Sequence, residues 1–235
     1  MTEYLPEELP AQLKAMGEPS YAAFASSLLP GLSRPLLGIR LPRLKQLARN
    51  LARCNWRDIL NEGLPGNTFE EVMLRGLIIG YAPMPWDERW KEITAFAGVI
   101  DNWSVCDTCC ALYKEARKHR AEVWPRLVDE LHAENEFRQR FAIVMMMDHF
   151  LHDCPEDVLA AWAQTSPCGY YAEMALGWGM AEAYLRFPER ALPFLLDKHF
   201  PAEGRKKAIR KILESQRTTT AQRQQIKVLQ KQHKS

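Results

Sequence analysis

The chain has 235 residues, 47% hydrophobic and 26% charged, a balance that fits a folded globular protein and excludes a disordered one. The longest apolar run, Phe141–Met147, stops at Asp148, so no membrane span is expected. Met1–Pro10 carries acids and prolines instead of a basic start and an apolar core, so no secretory leader is expected and the expected location is the cytoplasm. The net charge of +2 conceals three blocks, with 11 basic and 11 acidic residues in 1–100, 10 and 16 in 101–200, and 10 and 2 in 201–235. Pro19–Arg57 holds no acid at all but carries Arg34, Arg40, Arg43, Lys45, Arg49, Arg53 and Arg57. Two basic segments thus flank an acidic middle, read either as solvated faces or as a polyanion contact at both ends.

Taken in chain order, the apolar pattern is helical nearly everywhere. Leu44, Leu47, Ala48 and Leu51 recur at i, i+3, i+4 and i+7, with Arg43, Gln46, Asn50 and Arg53 on the opposite face. Thr68 before Glu70 and Glu71 reads as an N-cap with acids in the first turn, and Gly80 and Pro83 as the close of that helix. Further helices are predicted over 86–98, 102–119, 121–132, 137–151, 155–165, 170–186, 188–198 and 204–216. Pro155, Pro188 and Pro201 fall at starts or breaks, and no segment alternates at period two. The breaks are short, so neighbouring helices are expected to pack antiparallel.

Three segments resemble one another: Ala121-Glu-Val-Trp-Pro-Arg-Leu, Pro155-Glu-Asp-Val-Leu-Ala-Ala and Pro188-Glu-Arg-Ala-Leu-Pro-Phe. Their starts are almost evenly spaced along the chain, and each precedes a longer apolar helix. The interval has the size of a helix-pair repeat, and it predicts an all-α solenoid of HEAT-like or TPR-like pairs, with a generic helical bundle as the alternative. One domain over 1–235 is expected, with N-terminal basic helices in 1–64, central repeats in 65–200, and basic C-terminal helices and a tail in 201–235.

Six cysteines in a chain without a leader read as reduced thiols. Cys106 and Cys109 stand at metal-ligand spacing, with Cys110 adjacent and His149 and His152 as candidate nitrogens. Each lies inside an apolar helical run, where a free cysteine behaves as a small hydrophobe, so no metal site is expected.

Trp103, Arg140 and Trp178 are separated by nearly equal intervals, so one helix pair per repeat predicts similar places on successive repeats. Asp107 lies at i+4 from Trp103 and shares its helical face. The set is two indoles, a guanidinium and a carboxylate on one binding surface. Alternatively Trp178 belongs to a core stripe with Tyr171, Met174 and Ala181, and Arg140 only pairs with Asp107 or Asp148.

At these residues the sequence resembles the HEAT-like-repeat alkylpurine DNA glycosylases of the AlkD type, over most of the chain. Leu37-Gly-Ile-Arg-Leu-Pro-Arg-Leu-Lys-Gln-Leu is similar to the family's lead into an early basic helix. Asn102-Trp-Ser-Val-Cys-Asp-Thr is similar to its Trp-x-x-x-Asp helix, and Phe137-Arg-Gln-Arg-Phe-Ala-Ile to the helix of its functional arginine. Ala175-Leu-Gly-Trp-Gly resembles the helix of its second tryptophan, and Gly204-Arg-Lys-Lys-Ala-Ile-Arg-Lys-Ile its closing basic helix.

The resemblance implies a right-handed α-solenoid with a concave face, working as a monomer on double-stranded DNA that contains alkylated purines. It implies hydrolysis of the N-glycosidic bond of N3- or N7-alkylated purines without base flipping, with no metal or cofactor, in a cytoplasmic, nucleoid-associated protein. Asp107 becomes the catalytic carboxylate, and Trp103 and Trp178 the aromatic walls beside the damaged nucleotide. Arg140 becomes a backbone clamp, and Arg43, Lys45, Arg205, Lys206, Lys207 and Arg210 phosphate contacts. The family type also walls its site with an N-terminal tyrosine. The comparable stretch here, Phe24-Ala-Ser-Ser-Leu-Leu, has none, and Tyr21 stands out of register. The alternatives are a non-catalytic module for damaged or bent DNA, to which the acidic middle points, and a protein-interaction scaffold.

Overall fold

The computed structural model describes residues 5–232, so the first four residues of the leader reading and the last three of the basic tail lie outside the described residues. The fold is all-α, with no strand among the described residues. The chain divides into two compact units between Tyr113 and Lys114.

In the N-terminal unit, α1 (Leu9–Met16) and α2 (Pro19–Ser27) precede α3 (Leu41–Leu51), α4 (Trp56–Asp58), α5 (Phe69–Tyr81), α6 (Trp86–Ala97) and α7 (Trp103–Cys110). The four apolar residues picked out at helical spacing are the buried residues of α3: Leu44, Leu47, Ala48 and Leu51. Thr68 caps α5 by accepting from the Glu71 amide, and the Glu71 carboxylate accepts from the Asn67 amide at 2.7 Å. α5 runs through Gly80 and ends at Tyr81, and Leu112 packs where a side chain at residue 80 would stand. α5 is the spine of this unit, contacting α3, α6 and α7.

The second unit begins with a 3₁₀ segment, Lys114–His119, and holds α8 (Arg120–Leu131), α9 (Glu136–His149), α10 (Pro155–Ala163), α11 (Tyr170–Arg186), α12 (Pro188–Leu196), α13 (Ala202–Glu214) and α14 (Thr220–Gln232). The three similar segments open α8, α10 and α12. α9, α11 and α13 follow them and pack on one another in succession, while α10 bridges α9, α11 and α12. Within each unit, helices therefore stack in chain order, as in a solenoid.

The predicted helix over 102–119 is two pieces. α7 stops at Cys110, and Leu112 and Tyr113 turn back onto the Cys109 and Cys110 carbonyls. The reason is tertiary: Tyr113 is 1% exposed and its hydroxyl donates to the Gly76 carbonyl at 3.2 Å. α1, α2, α4 and α14 lie outside the predicted spans.

The loop from α2 to α3 is shaped by one buried acid. Glu70, fully buried in the first turn of α5, accepts from the amides of Leu37 (2.9 Å), Gly38 (2.7 Å) and Ile39 (3.1 Å). Gly38 lies at φ +89°, and a Cβ there would come within 2.3 Å of the Glu18 carbonyl. Glu70→Ala leaves those amides without an acceptor and is expected to cost about 3 kcal/mol, lowering the melting temperature by roughly 6–12 °C for a chain of this size. Thermal unfolding followed by circular dichroism measures it.

Candidate functional site

α7 divides cleanly. Val105, Cys106, Cys109 and Cys110 are buried, while Trp103, Ser104, Asp107 and Thr108 are half-buried on the opposite face. The start of the helix is held from three sides. The Asn102 side chain accepts from the Val105 amide at 2.9 Å and donates to Asp101 at 2.9 Å. Asp101 pairs with Arg34, whose Nε donates to the Gly66 carbonyl at 2.9 Å. The Trp103 Nε1 donates to the Leu28 carbonyl at 3.2 Å, which fixes the indole. Trp103 and Asp107 are one turn apart on the same face, about 6 Å between their Cβ atoms.

Trp103 and Ser104 line an apolar cleft of about 160 Å³ whose other walls include Tyr21, Ala25, Leu28 and Leu36. Tyr21 stands out of register in the sequence, yet the structure places it in this cleft with Trp103. The two residues are distant in sequence and share no local signature, because the loop held by Glu70 is what brings α2 against the cleft of α7. The outer face of the Tyr21 ring carries the Arg40 guanidinium at 4.6 Å from the centroid.

In the second unit, Trp178 stands half-buried on α11, in line with half-buried Tyr171 and Met174 and buried Ala181. The stripe is thus a partly open ridge for most of its length. Gly177 beside it admits α13, since a Cβ there would come within 2.5 Å of the Lys207 Cβ and 3.1 Å of the Gly204 carbonyl.

Arg140 is 5% exposed, and its Nη1 donates to the Tyr171 carbonyl at 2.9 Å. It acts with its neighbours. Glu136 accepts from the Tyr171 amide (2.8 Å), and Gln139 bonds both the Ser166 carbonyl (3.1 Å) and the Cys168 amide (2.9 Å). The first turns of α9 therefore hold the entry to α11. Arg140 is the fifth residue of α9 and Trp178 the ninth of α11, so the two sit one turn apart along their helices, not at equal places.

The basic residues divide by partner. Arg43 shares Glu18 with Arg40. Lys45 is half-buried on α3. On α13, Arg205 donates to the Asp197 carbonyl (2.7 Å), Lys206 pairs with Glu203 (2.5 Å), Lys207 with Glu173 (2.9 Å) and Arg210 with Glu214 (2.8 Å). Lys206, Lys207, Arg210 and Lys211 line an open groove with Tyr170, Met174 and the acids Glu203 and Glu214. Tyr170 and Tyr21 are the residues of these surfaces that spacing does not reveal.

The family model described as DNA alkylation repair enzyme matches residues 9–212. The chain belongs to that family. A search of curated proteins returned no match. Membership gives the chain a role in DNA repair.

Cys106, Cys109 and Cys110 are all fully buried, and burial pushes the Cys109 thiol well above the ordinary range. No three His, Cys, Asp or Glu side chains among the described residues are grouped as a metal would need. Cys109 packs α7 onto α5, with its Sγ 3.9 Å from the Met73 carbonyl. In native protein at pH 8, a thiol reagent such as DTNB is expected to modify exposed Cys168 first and to leave these three silent until denaturant exposes all six cysteines. Fast native reaction at α7 would show that it opens.

Proposed function

We propose that the chain is a monofunctional DNA glycosylase that hydrolyses the N-glycosidic bond of cationic N3- and N7-alkylated purines in double-stranded DNA. The observation that carries this reading is the half-open face of α7, where an anchored indole and a carboxylate stand one turn apart beside an apolar cleft.

The chemistry follows from charge. An alkylated purine is a cation with a weakened glycosidic bond, and its departure builds positive charge on the sugar. Asp107 stabilises that charge and orients an attacking water. The Trp103 face attracts the cationic nucleotide by about 0.5–2 kcal/mol depending on desolvation, and the Trp178 face of the second unit offers a cationic group the same attraction. Tyr21 extends the wall formed by Trp103. Arg140, tied to the Tyr171 carbonyl, fixes the entry of the helix that carries Trp178 and supplies a preorganised positive charge. The basic groove on α13 and the Arg43 end of α3 take backbone phosphates. The cleft beside Trp103, about 160 Å³, is well below the roughly 300–1,000 Å³ of an enclosing small-molecule pocket. A lesion left stacked in the duplex needs no enclosing pocket at this cleft.

Incubation with duplex DNA containing 7-methylguanine is expected to release free base well above the spontaneous rate. Asp107→Asn should lower that release by at least about a hundredfold with the circular dichroism spectrum unchanged. Absence of release by the unaltered protein at saturating concentration defeats the glycosylase assignment and leaves a DNA-binding module.

Duplex affinity should fall steeply with salt. Arg210→Ala combined with Lys211→Ala should flatten the plot of log K against log [KCl] by roughly one to two. Anisotropy titrations at several KCl concentrations read that slope.

A further inference from the structure

Glu18 stands at the border of the acid-free stretch, as the residue before Pro19. Its position at the head of α2 suits a carboxylate that caps the helix, yet its side chain makes no capping bond. Instead each carboxylate oxygen takes a different guanidinium. Oε2 accepts from the Arg40 Nε at 3.1 Å, and Oε1 from the Arg43 Nη1 at 3.3 Å. The Arg40 and Arg43 side chains are 57% and 51% exposed, and that of Glu18 34%. The same Arg40 lies on the Tyr21 ring, whose residue walls the cleft with Trp103.

A carboxylate bridging two guanidinium groups has the geometry of a phosphodiester bridging the same two groups, since both ligands present two oxygens to planar donor forks. An exposed ion pair of this kind contributes little to stability and is readily exchanged. A phosphodiester arrives with the rest of a duplex, and its capture also releases condensed counterions. No acid lies in 19–57 itself.

We propose that Arg40 and Arg43 form a phosphate seat at the lip of the Tyr21–Trp103 cleft, and that Glu18 occupies this seat as an internal counterion until a backbone phosphate displaces it. The proposal rests on the DNA-directed reading of the site but not on its glycosylase chemistry. Glu18 then weakens binding to any duplex, and its release couples phosphate capture to the position of Arg40 on the Tyr21 ring.

The test uses the full chain as the unaltered protein, Glu18→Gln, Arg40→Lys with Arg43→Lys, and the triple variant, each checked for unchanged helical content. Undamaged duplex is titrated by anisotropy at several KCl concentrations, with inorganic phosphate added in a parallel series. Glu18→Gln should tighten duplex binding about three- to tenfold at low salt. The gain should vanish in the lysine background, where charge remains but the planar fork is lost. Millimolar inorganic phosphate should leave the gain in place if the ligand is the polymer backbone, and should cancel it if the seat takes free phosphate. An unchanged affinity for Glu18→Gln, or a gain that persists in the lysine background, overturns the seat. Base release measured on the same proteins separates the two readings. Release with a silent Glu18→Gln keeps the glycosylase and removes the seat, whereas tightening without release does the reverse. Failure of all four proteins to bind removes both.

Discussion

The arrangement of the N-terminal unit depends on the Glu70 carboxylate. It is fully buried, and it accepts from three consecutive loop amides. Those bonds satisfy donors that a buried loop would otherwise leave unpaired, and they bend residues 37–39 over the start of α5. Gly38 follows from the bend, since its positive φ and its approach to the Glu18 carbonyl leave no room for a side chain. Once the loop is fixed, α2 lies against it, Tyr21 reaches the cleft of Trp103, and α3 begins with Arg40 and Arg43 on the same rim. Catalytic and binding candidates in this unit thus share one buried anchor, which itself lines the cleft beside Trp103.

Segment charge alone makes the middle of the chain look hostile to DNA, with 16 acids against 10 basic residues in 101–200. The structure shows where much of that charge goes. Glu130 is 2% exposed and held between Arg126 and Arg138. Asp101 is committed to Arg34 and the Asn102 amide. Glu136 takes the Tyr171 amide, Glu182 pairs with Arg186 and Arg217, and Asp157 and Glu156 pair with Arg120 and Arg190. Exposed pairs of this kind add little stability, but they cancel the field that an approaching polyanion meets. Arg34 and Arg217 come from outside the segment, so its tally overstates repulsion at Asp101 and Glu182, whereas pairs with the segment's own arginines spread the charge without changing its sum.

The long elements were legible because their apolar periodicity is strong: α3, α5 and α9–α13 fall where spacing puts them, and the repeated segments mark the openings of α8, α10 and α12. What stayed hidden is tertiary. The break after Cys110 has no glycine or proline signal, because Tyr113 makes it by reaching the Gly76 carbonyl. α2 buries none of its residues, so it carries no apolar stripe to recognise. Tyr21 could not be assigned by register, since its partner stands far along the chain on α7. Glu70 read only as a first-turn acid, although its three acceptor bonds organise the unit.

The same distinction bears on Arg140 and Trp178. Near-equal spacing in sequence suggested equal places on successive repeats, but α9 and α11 begin at different offsets, so the arginine meets the first turn of α11 and the indole rides two turns further on, about 10 Å along the axis. An arginine buried against a backbone carbonyl is hard to desolvate and costly to leave unpaired, so its placement is set by the packing of α9 on α11. Its hydrogen bond to the Tyr171 carbonyl holds the helix that presents Trp178, so the burial of Arg140 and the placing of that helix are set by the same packing.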